Sequence, residues 1–282
     1  MMKSVSRVAL TLLSLCGSAG LQAQTIEVIP LHAPPVLDAQ PAEWADHPGQ
    51  LVPLQPLVDS SVVEASEVLV KAGYFGDQVI FYMEWPDAEA DLLHKPYVWS
   101  EQRGKYVKGP QREDRLALQF GISGTFDANW LSGNAFKADM WHWKSSRSNP
   151  LGLAHDKMTT VSTSKLLRGA RMTAADGSAV YVLRQNDAGS DLYRTARYSS
   201  REEAVMPKYV LLSEAEGSIA DIAAKGVWRD GRWHLEMLRK MDTGHTDDVV
   251  FQTGQRVKGA ISVFDRSENE DHKVSATLDF QF

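Results

Sequence analysis

The chain has 282 residues, with 30 Lys and Arg against 36 Asp and Glu, a net charge of −6 and one cysteine. That balance gives no general attraction to nucleic acid or anionic lipid. One thiol excludes a disulfide framework, a thiolate zinc site, an iron–sulfur cluster and a CxxCH haem attachment.

Lys3 and Arg7 form a positive start, Val8–Gly17 is an apolar run, and GSAGLQAQ supplies small residues. This is the pattern of a secretory signal peptide, residues 1–23, cleaved after Ala23. The run falls short of the ~20 apolar residues a membrane span needs, and no later run approaches it, so no transmembrane segment is expected. Cys16 sits in the discarded run, and Leu15 stands where a lipid-modified cysteine would want a small residue. Residues 24–282 then form one exported, periplasmic domain with 28 basic and 36 acidic side chains.

That domain opens with an extended stretch, Thr25–Pro35, then VLDAQPAEWADHP, in which Trp44 reads as a plug for one end of a β core. Val68–Trp85 predicts a hairpin turning at Gly76-Asp77. Asp87–Pro110 is a polar loop, Arg115–Phe120 a short buried strand, and Gly121–Lys137 a loop leading into the densest stretch of the chain.

That stretch is Asp139–Lys157, DMWHWKSSRSNPLGLAHDK. Read as a strand, it places Trp141 and Trp143 on one face and Met140, His142 and Lys144 on the other. Asn149-Pro150 and Gly152 then turn the chain. Such a strand suits either a buried sandwich core or the floor of a flat anionic cofactor. Asp156–Met206 is polar and predicts an excursion over the sandwich. Ala224–Trp228 and Trp233–Arg239 predict a second hairpin at Asp230-Gly231, and Val257–Phe264 and Val274–Phe282 predict two closing strands joined by DRSENEDH. Roughly ten short strands with regular turn signals predict an all-β, antiparallel β-sandwich of immunoglobulin or jelly-roll type, with long loops and few short helices.

Five segments in this order carry a resemblance: KAGYFGDQVIFYMEWPD, EDRLALQF, DMWHWKSSRSNPLGLAHDK, KGVWRDGRWHLEMLRKMDTG and AISVFDRSENEDHKVSATLDF. Together they resemble the haem-binding domain of the gamma subunit of ethylbenzene dehydrogenase and dimethyl sulfide dehydrogenase, also found in periplasmic multihaem cytochromes. The resemblance implies a β-sandwich holding one non-covalent haem b through side-chain axial ligands. It implies electron transfer without independent catalysis, to a redox partner such as a c-type cytochrome or a molybdenum-type oxidoreductase complex. It places His272, rather than Lys273, at the axial position before the last strand. The loop that carries the relatives' methionine reads Trp130-Leu131-Ser132-Gly133 here, so Met140 or His142 is left for the second ligand. Lys144 and Arg147, with Arg239 and Lys240 as further candidates, are implied propionate partners beside Trp141 and Trp143. A different class, an exported carbohydrate-binding sandwich using Trp44, Trp99 or Trp130, fits the same pattern without haem.

The export reading makes a direct expectation. N-terminal sequencing of the exported protein should begin at Gln24, and a chain beginning at a lipid-modified Cys16 would refute it.

Overall fold

The structure, a computed structural model, describes residues 23–282 apart from Ala175 and Glu270. The expected signal peptide lies outside the described residues but for Ala23. The strands in chain order are β1 (Gln24–Pro30), β2 (Gln50–Pro56), β3 (Glu67–Phe75), β4 (Gln78–Pro86), β5 (Tyr97–Ser100), β6 (Lys105–Lys108), β7 (Arg115–Gly124), β8 (Phe136–Lys144), β9 (His155–Ser162) and β10 (Ala170–Thr173). They continue as β11 (Ala179–Asn186), β12 (Tyr193–Thr195), β13 (Val205–Met206), β14 (Tyr209–Leu211), β15 (Ala223–Arg229), β16 (Arg232–Lys240), β17 (Arg256–Phe264), β18 (Lys273–Ser275) and β19 (Leu278–Gln281). Among the described residues the helical pieces are single 3-10 turns.

The strands form the expected sandwich, almost wholly antiparallel. One layer runs β10-β11-β9-β8-β7-β17, and the other runs β2-β3-β4-β16-β15. β1 ties the layers together by pairing in parallel with β19 at one end and β3 at the other. The two predicted hairpins form with their turns where expected. Gly76 has φ 60°, and Asp230 and Gly231 have φ 52° and 74°, the left-handed pair a two-residue hairpin loop requires.

Three stretches differ from the sequence reading. The expected strand Val274–Phe282 is two strands. Ser275 Oγ accepts from the Ile261 amide at 3.0 Å and donates to the Ala276 carbonyl at 2.8 Å, so a side chain replaces a ladder bond and the chain steps aside. β7 runs beyond Phe120 to Gly124, bulging between Gly121 and Ser123, where a loop was expected. The polar excursion supplies β9, β10 and β11 to the first layer, and the small β12–β14 pair lies over that layer.

Between the layers, Leu116, Leu118 and Phe120 of β7 and Trp141 and Trp143 of β8 meet Phe81, Met83 and Trp85 of β4 and Trp233 and Leu235 of β16. Trp143 stands edge-on to Trp85 at 6.0 Å and to Trp233 at 4.9 Å, and Trp141 edge-on to Phe81 at 5.6 Å. The turn after β8 is pinned from the same side. Asn149 Oδ1 accepts from Trp143 Nε1 at 3.0 Å and from the Gly226 amide at 2.7 Å, while Asn149 Nδ2 donates to the Gly226 carbonyl at 3.0 Å. Gly226 must be glycine here, because a Cβ would sit 2.3 Å from the Trp143 ring. Much of the W-H-W-K-x-x-R-x-N-P-x-G segment is therefore architecture.

Both tryptophans are fully buried. Trp141→Ala or Trp143→Ala should each cost about 3–5 kcal/mol in a denaturant titration. Values within about 0.5 kcal/mol of wild type would remove β8 from the core.

Candidate functional site

The site follows from the two-residue period of β8. Asp139, Trp141 and Trp143 face the core, and Met140, His142 and Lys144 face the other side of the layer. Trp141 and Trp143, expected beside a cofactor, are thus separated by the strand from Met140 and His142. The outer face is buried as well: Met140 is 4% exposed, His142 7% and Lys144 2%. Cross-strand register completes it. His142 faces His155 on one side and Ala117 on the other, Met140 faces Lys157 and Gln119, and Arg115 lies between Lys144 and Phe264. Tyr193 and Tyr209 from β12 and β14, Trp130 from the loop before β8, and the 265–272 turn cover this face.

Phe264 is the hub. Its ring packs on Met140 and lies 5.9 Å from the His142 ring, 4.6 Å from the His272 ring and 4.2 Å from the Arg115 guanidinium. The turn thereby brings His272, 130 positions along the chain from His142, onto the same ring. The His272 carbonyl accepts from the Leu57 amide at 2.9 Å, which holds the turn against the end of β2. His272 Nδ1 lies 3.0 Å from the Asn269 carbonyl. A carbonyl only accepts, so Nδ1 carries the proton and Nε2 carries the lone pair. Burial lowers the His272 pKa to about 4, and burial followed by the Lys144 charge holds His142 well below its usual value. Both rings are neutral near pH 7, the state that ligates a metal. His142 Nε2 and His155 Nε2 are buried without a hydrogen-bond partner.

The basic side chains around these rings have neutral partners. Arg115 donates to Asn269 Oδ1 and the Ser267 carbonyl at 2.7 Å each, Lys144 Nζ lies 2.7 Å from His155 Nδ1, and Lys157 Nζ contacts Asn186 Oδ1. These partners are uncharged, and among the described residues no carboxylate lies in ion-pair range of Arg115, Lys144 or Lys157. Burial lowers Arg115 to about 10 and Lys157 to about 8 and holds Lys144 well below its usual value. The face joins neutral imidazoles and a thioether to two buried basic side chains, Arg115 and Lys144, and a half-buried one, Lys157. That donor set fits a haem, whose iron takes imidazole or thioether ligands and whose propionates need cations.

Two expected propionate partners are engaged elsewhere. The Arg147 guanidinium pairs with buried Glu113 and lies over the Tyr193 and Tyr209 rings at 5.2 and 5.1 Å. Arg239 is fully buried inside the sandwich, donating to Asp139 Oδ2 and the Val249 carbonyl at 2.6 Å each and lying over Trp141 at 4.8 Å. Lys144 keeps its expected face. Sequence reasoning missed Arg115, His155, Lys157 and Phe264. Of these, only His155 had a visible signal, since a turn at Asn149–Gly152 folds it back beside His142. Of the tryptophans proposed for sugar stacking, Trp44 is buried and donates to Glu236 Oε1 at 3.0 Å. Trp99 and Trp130 are half-buried.

A family model described as ethylbenzene dehydrogenase matches residues 41–275. No curated protein sequence shows significant similarity to the chain. Among solved structures, a putative carbohydrate-binding protein from Bacteroides uniformis aligns at 10% identity and TM-score 0.41 over 91% of each chain. A family 9 carbohydrate-binding module from Caldicellulosiruptor kristjanssonii, in complex with glucose, aligns at 8% identity and TM-score 0.39 over 89% of this chain and 85% of its own. Similarity at that level carries no inference about what this chain binds.

Glu113 anchors the covered face from below, accepting from the Ser146 and Arg147 amides at 2.9 and 3.1 Å as well as from the Arg147 guanidinium. Glu113→Ala strands a buried cation and two amides, and should cost about 3–5 kcal/mol in a denaturant titration. A cost below about 1 kcal/mol would contradict this anchoring role.

Proposed function

We propose that this chain, which belongs to the ethylbenzene dehydrogenase family, binds one non-covalent haem b on the outer face of β8 and acts in the periplasm as an electron-transfer protein. Bound haem supplies a one-electron ferric–ferrous couple. The observation that carries the reading is the pairing of His272 and His142 on Phe264. One imidazole has its proton fixed on Nδ1 and its Nε2 lone pair free, and the other has a buried Nε2 without a partner.

In this reading His272 Nε2 would bind the haem iron. The Asn269 carbonyl sets its tautomer and ring orientation, as the outer partner of a metal-bound histidine does. His142 is the second ligand, with Met140, two residues away on the same face, as the alternative. Arg115, Lys144 and Lys157 hold the propionates. Phe264, Trp130 and Tyr193 keep water from the ring. The chain's part is ligation, orientation and charge compensation, with no chemistry of its own on a substrate. Its partner is a redox protein, either a c-type cytochrome or a molybdenum-type oxidoreductase complex.

Haem reconstitution tests this. The purified protein should bind one equivalent of haem with a low-spin Soret spectrum. His272→Ala should lose haem or turn it high-spin, and Lys273→Ala should match wild type, because Lys273 Nζ reaches only the Glu64 carbonyl at 3.3 Å. His142→Ala should also disturb the low-spin spectrum, whereas an effect of Met140→Ala alone would transfer the second ligand to sulfur. A colourless protein that takes up no haem and binds glycans would support the sugar-binding reading, with half-buried Trp99 and its neighbours Tyr106 and Tyr198 as the stacking surface.

A further inference from the structure

A second cluster lies at one end of the sandwich, where three core strands stop. Asp87 follows β4 directly, Asp114 precedes β7, and Asp265 follows β17. One carboxylate oxygen from each lies within 4.8 Å of the other two, and the three residues are 4%, 0% and 3% exposed. Asp91 joins them through the backbone. Its amide donates to Asp114 Oδ2 at 2.7 Å, and its carbonyl accepts from the Asp114 amide at 3.1 Å. Trp233 Nε1 donates to the same Asp114 oxygen at 3.0 Å, and the Glu89 amide donates to Asp87 Oδ1 at 3.1 Å.

These donors satisfy one oxygen of Asp114 and one of Asp87 and leave the other. Among the described residues, Asp114 Oδ1 and Asp87 Oδ2 are buried without a hydrogen-bond partner, as is Asp91 Oδ2 beside the group. A buried carboxylate oxygen with no donor is costly, and two of the three clustered carboxylates carry one. The cation in ion-pair range is Arg266, and it stays at the rim. Its side chain is 43% exposed, its Nε is 3.1 Å from Asp265 Oδ1 and 3.6 Å from Asp91 Oδ2, and its Nη atoms turn outward to Glu64 and Glu89. Four carboxylates thus face one half-exposed guanidinium.

We propose that Asp87, Asp114 and Asp265, with Asp91 adding charge beside them, bind a divalent cation of the calcium class. The donors are all carboxylate oxygens, with no imidazole or thiol, which selects a hard ion over zinc or copper. Four acids against one arginine leave an excess that a dication offsets. The cation ties the ends of β4, β7 and β17 to the loop after β4, and so fixes the root of the 265–272 turn. None of its ligands is a residue of the haem reading, so the two can fail separately.

The test uses the full chain stripped with a chelator. Calcium titrated by calorimetry should bind at one site per chain and raise the thermal midpoint by several degrees. Terbium in its place should luminesce on tryptophan excitation, given the Trp233–Asp114 contact. Asp114→Asn should abolish binding. Asp87→Asn, which keeps the Trp233 bond to Asp114, should weaken it by about tenfold or more, and decides the matter if Asp114→Asn fails to fold. Asp221→Asn, in the separate half-exposed Asp221–His245–Asp248 group, should bind as wild type. No calcium heat and no terbium emission from the wild-type protein would overturn the proposal. So would wild-type affinity in Asp87→Asn, or binding lost only in Asp221→Asn.

Discussion

The alternation of β8 is the constraint on which the rest depends. Because successive side chains of a strand point to opposite faces, one nine-residue segment builds two interiors. On the inner side Trp141 and Trp143 close an aromatic core with β4, β7 and β16. On the outer side Met140, His142 and Lys144 face a second, polar interior roofed by the β12–β14 pair, the Trp130 loop and the 265–272 turn. A one-residue slip would place lysine and histidine among the tryptophans and the indoles among the cations, so register is fixed from both sides. The core thus holds the ligand-bearing side chains rigidly, at no cost in their own freedom to bind.

Charge is divided along the same plane. Inside the sandwich Arg239 is matched by Asp139, with Asp156 and Asp248 at 3.8 and 3.6 Å, and the group is closed to solvent. Outside, Glu113 absorbs Arg147, while among the described residues Arg115, Lys144 and Lys157 meet neutral oxygens, an imidazole and aromatic rings but no carboxylate in ion-pair range. A buried ion pair does little for net stability once desolvation is counted, but an unmatched buried cation is expensive. In the proposed reading, a face that keeps such side chains receives an anion, and its neutral histidines receive a metal. Both needs are met by one flat dianionic iron porphyrin, which is why the outer face is more informative than any single residue on it.

How much of this was legible in the sequence depended on range. The hairpins were readable because their signals are local: Gly76 and Asp230-Gly231 supply the left-handed backbone the turns require. The two faces of β8 were readable from alternation alone. Pairings that cross the chain were not. Arg147 and Arg239 read as candidate propionate partners, but their carboxylates, Glu113 and Asp139, lie 34 and 100 positions away. The break between β18 and β19 was hidden because the Ser275 hydroxyl, not a glycine or proline, makes it. Strands β9 to β11 looked irregular because their outer positions hold His155, Lys157 and Arg184, polar groups that serve the second interior. Phe264 read as the end of a core strand, and nothing in sequence shows that its ring faces away from that core and joins residues as distant as Met140 and His272.

The central claim is that the outer face of β8, and not the tryptophan face, holds the iron. Locating the iron by anomalous scattering in crystals of the haem-loaded protein tests it most directly. The account predicts one iron peak per chain, beside Phe264, between the 265–272 turn and β8, bonded to His272 Nε2 and to either His142 or Met140. An iron peak on the Trp141–Trp143 side, or one with no bond to His272, would contradict it.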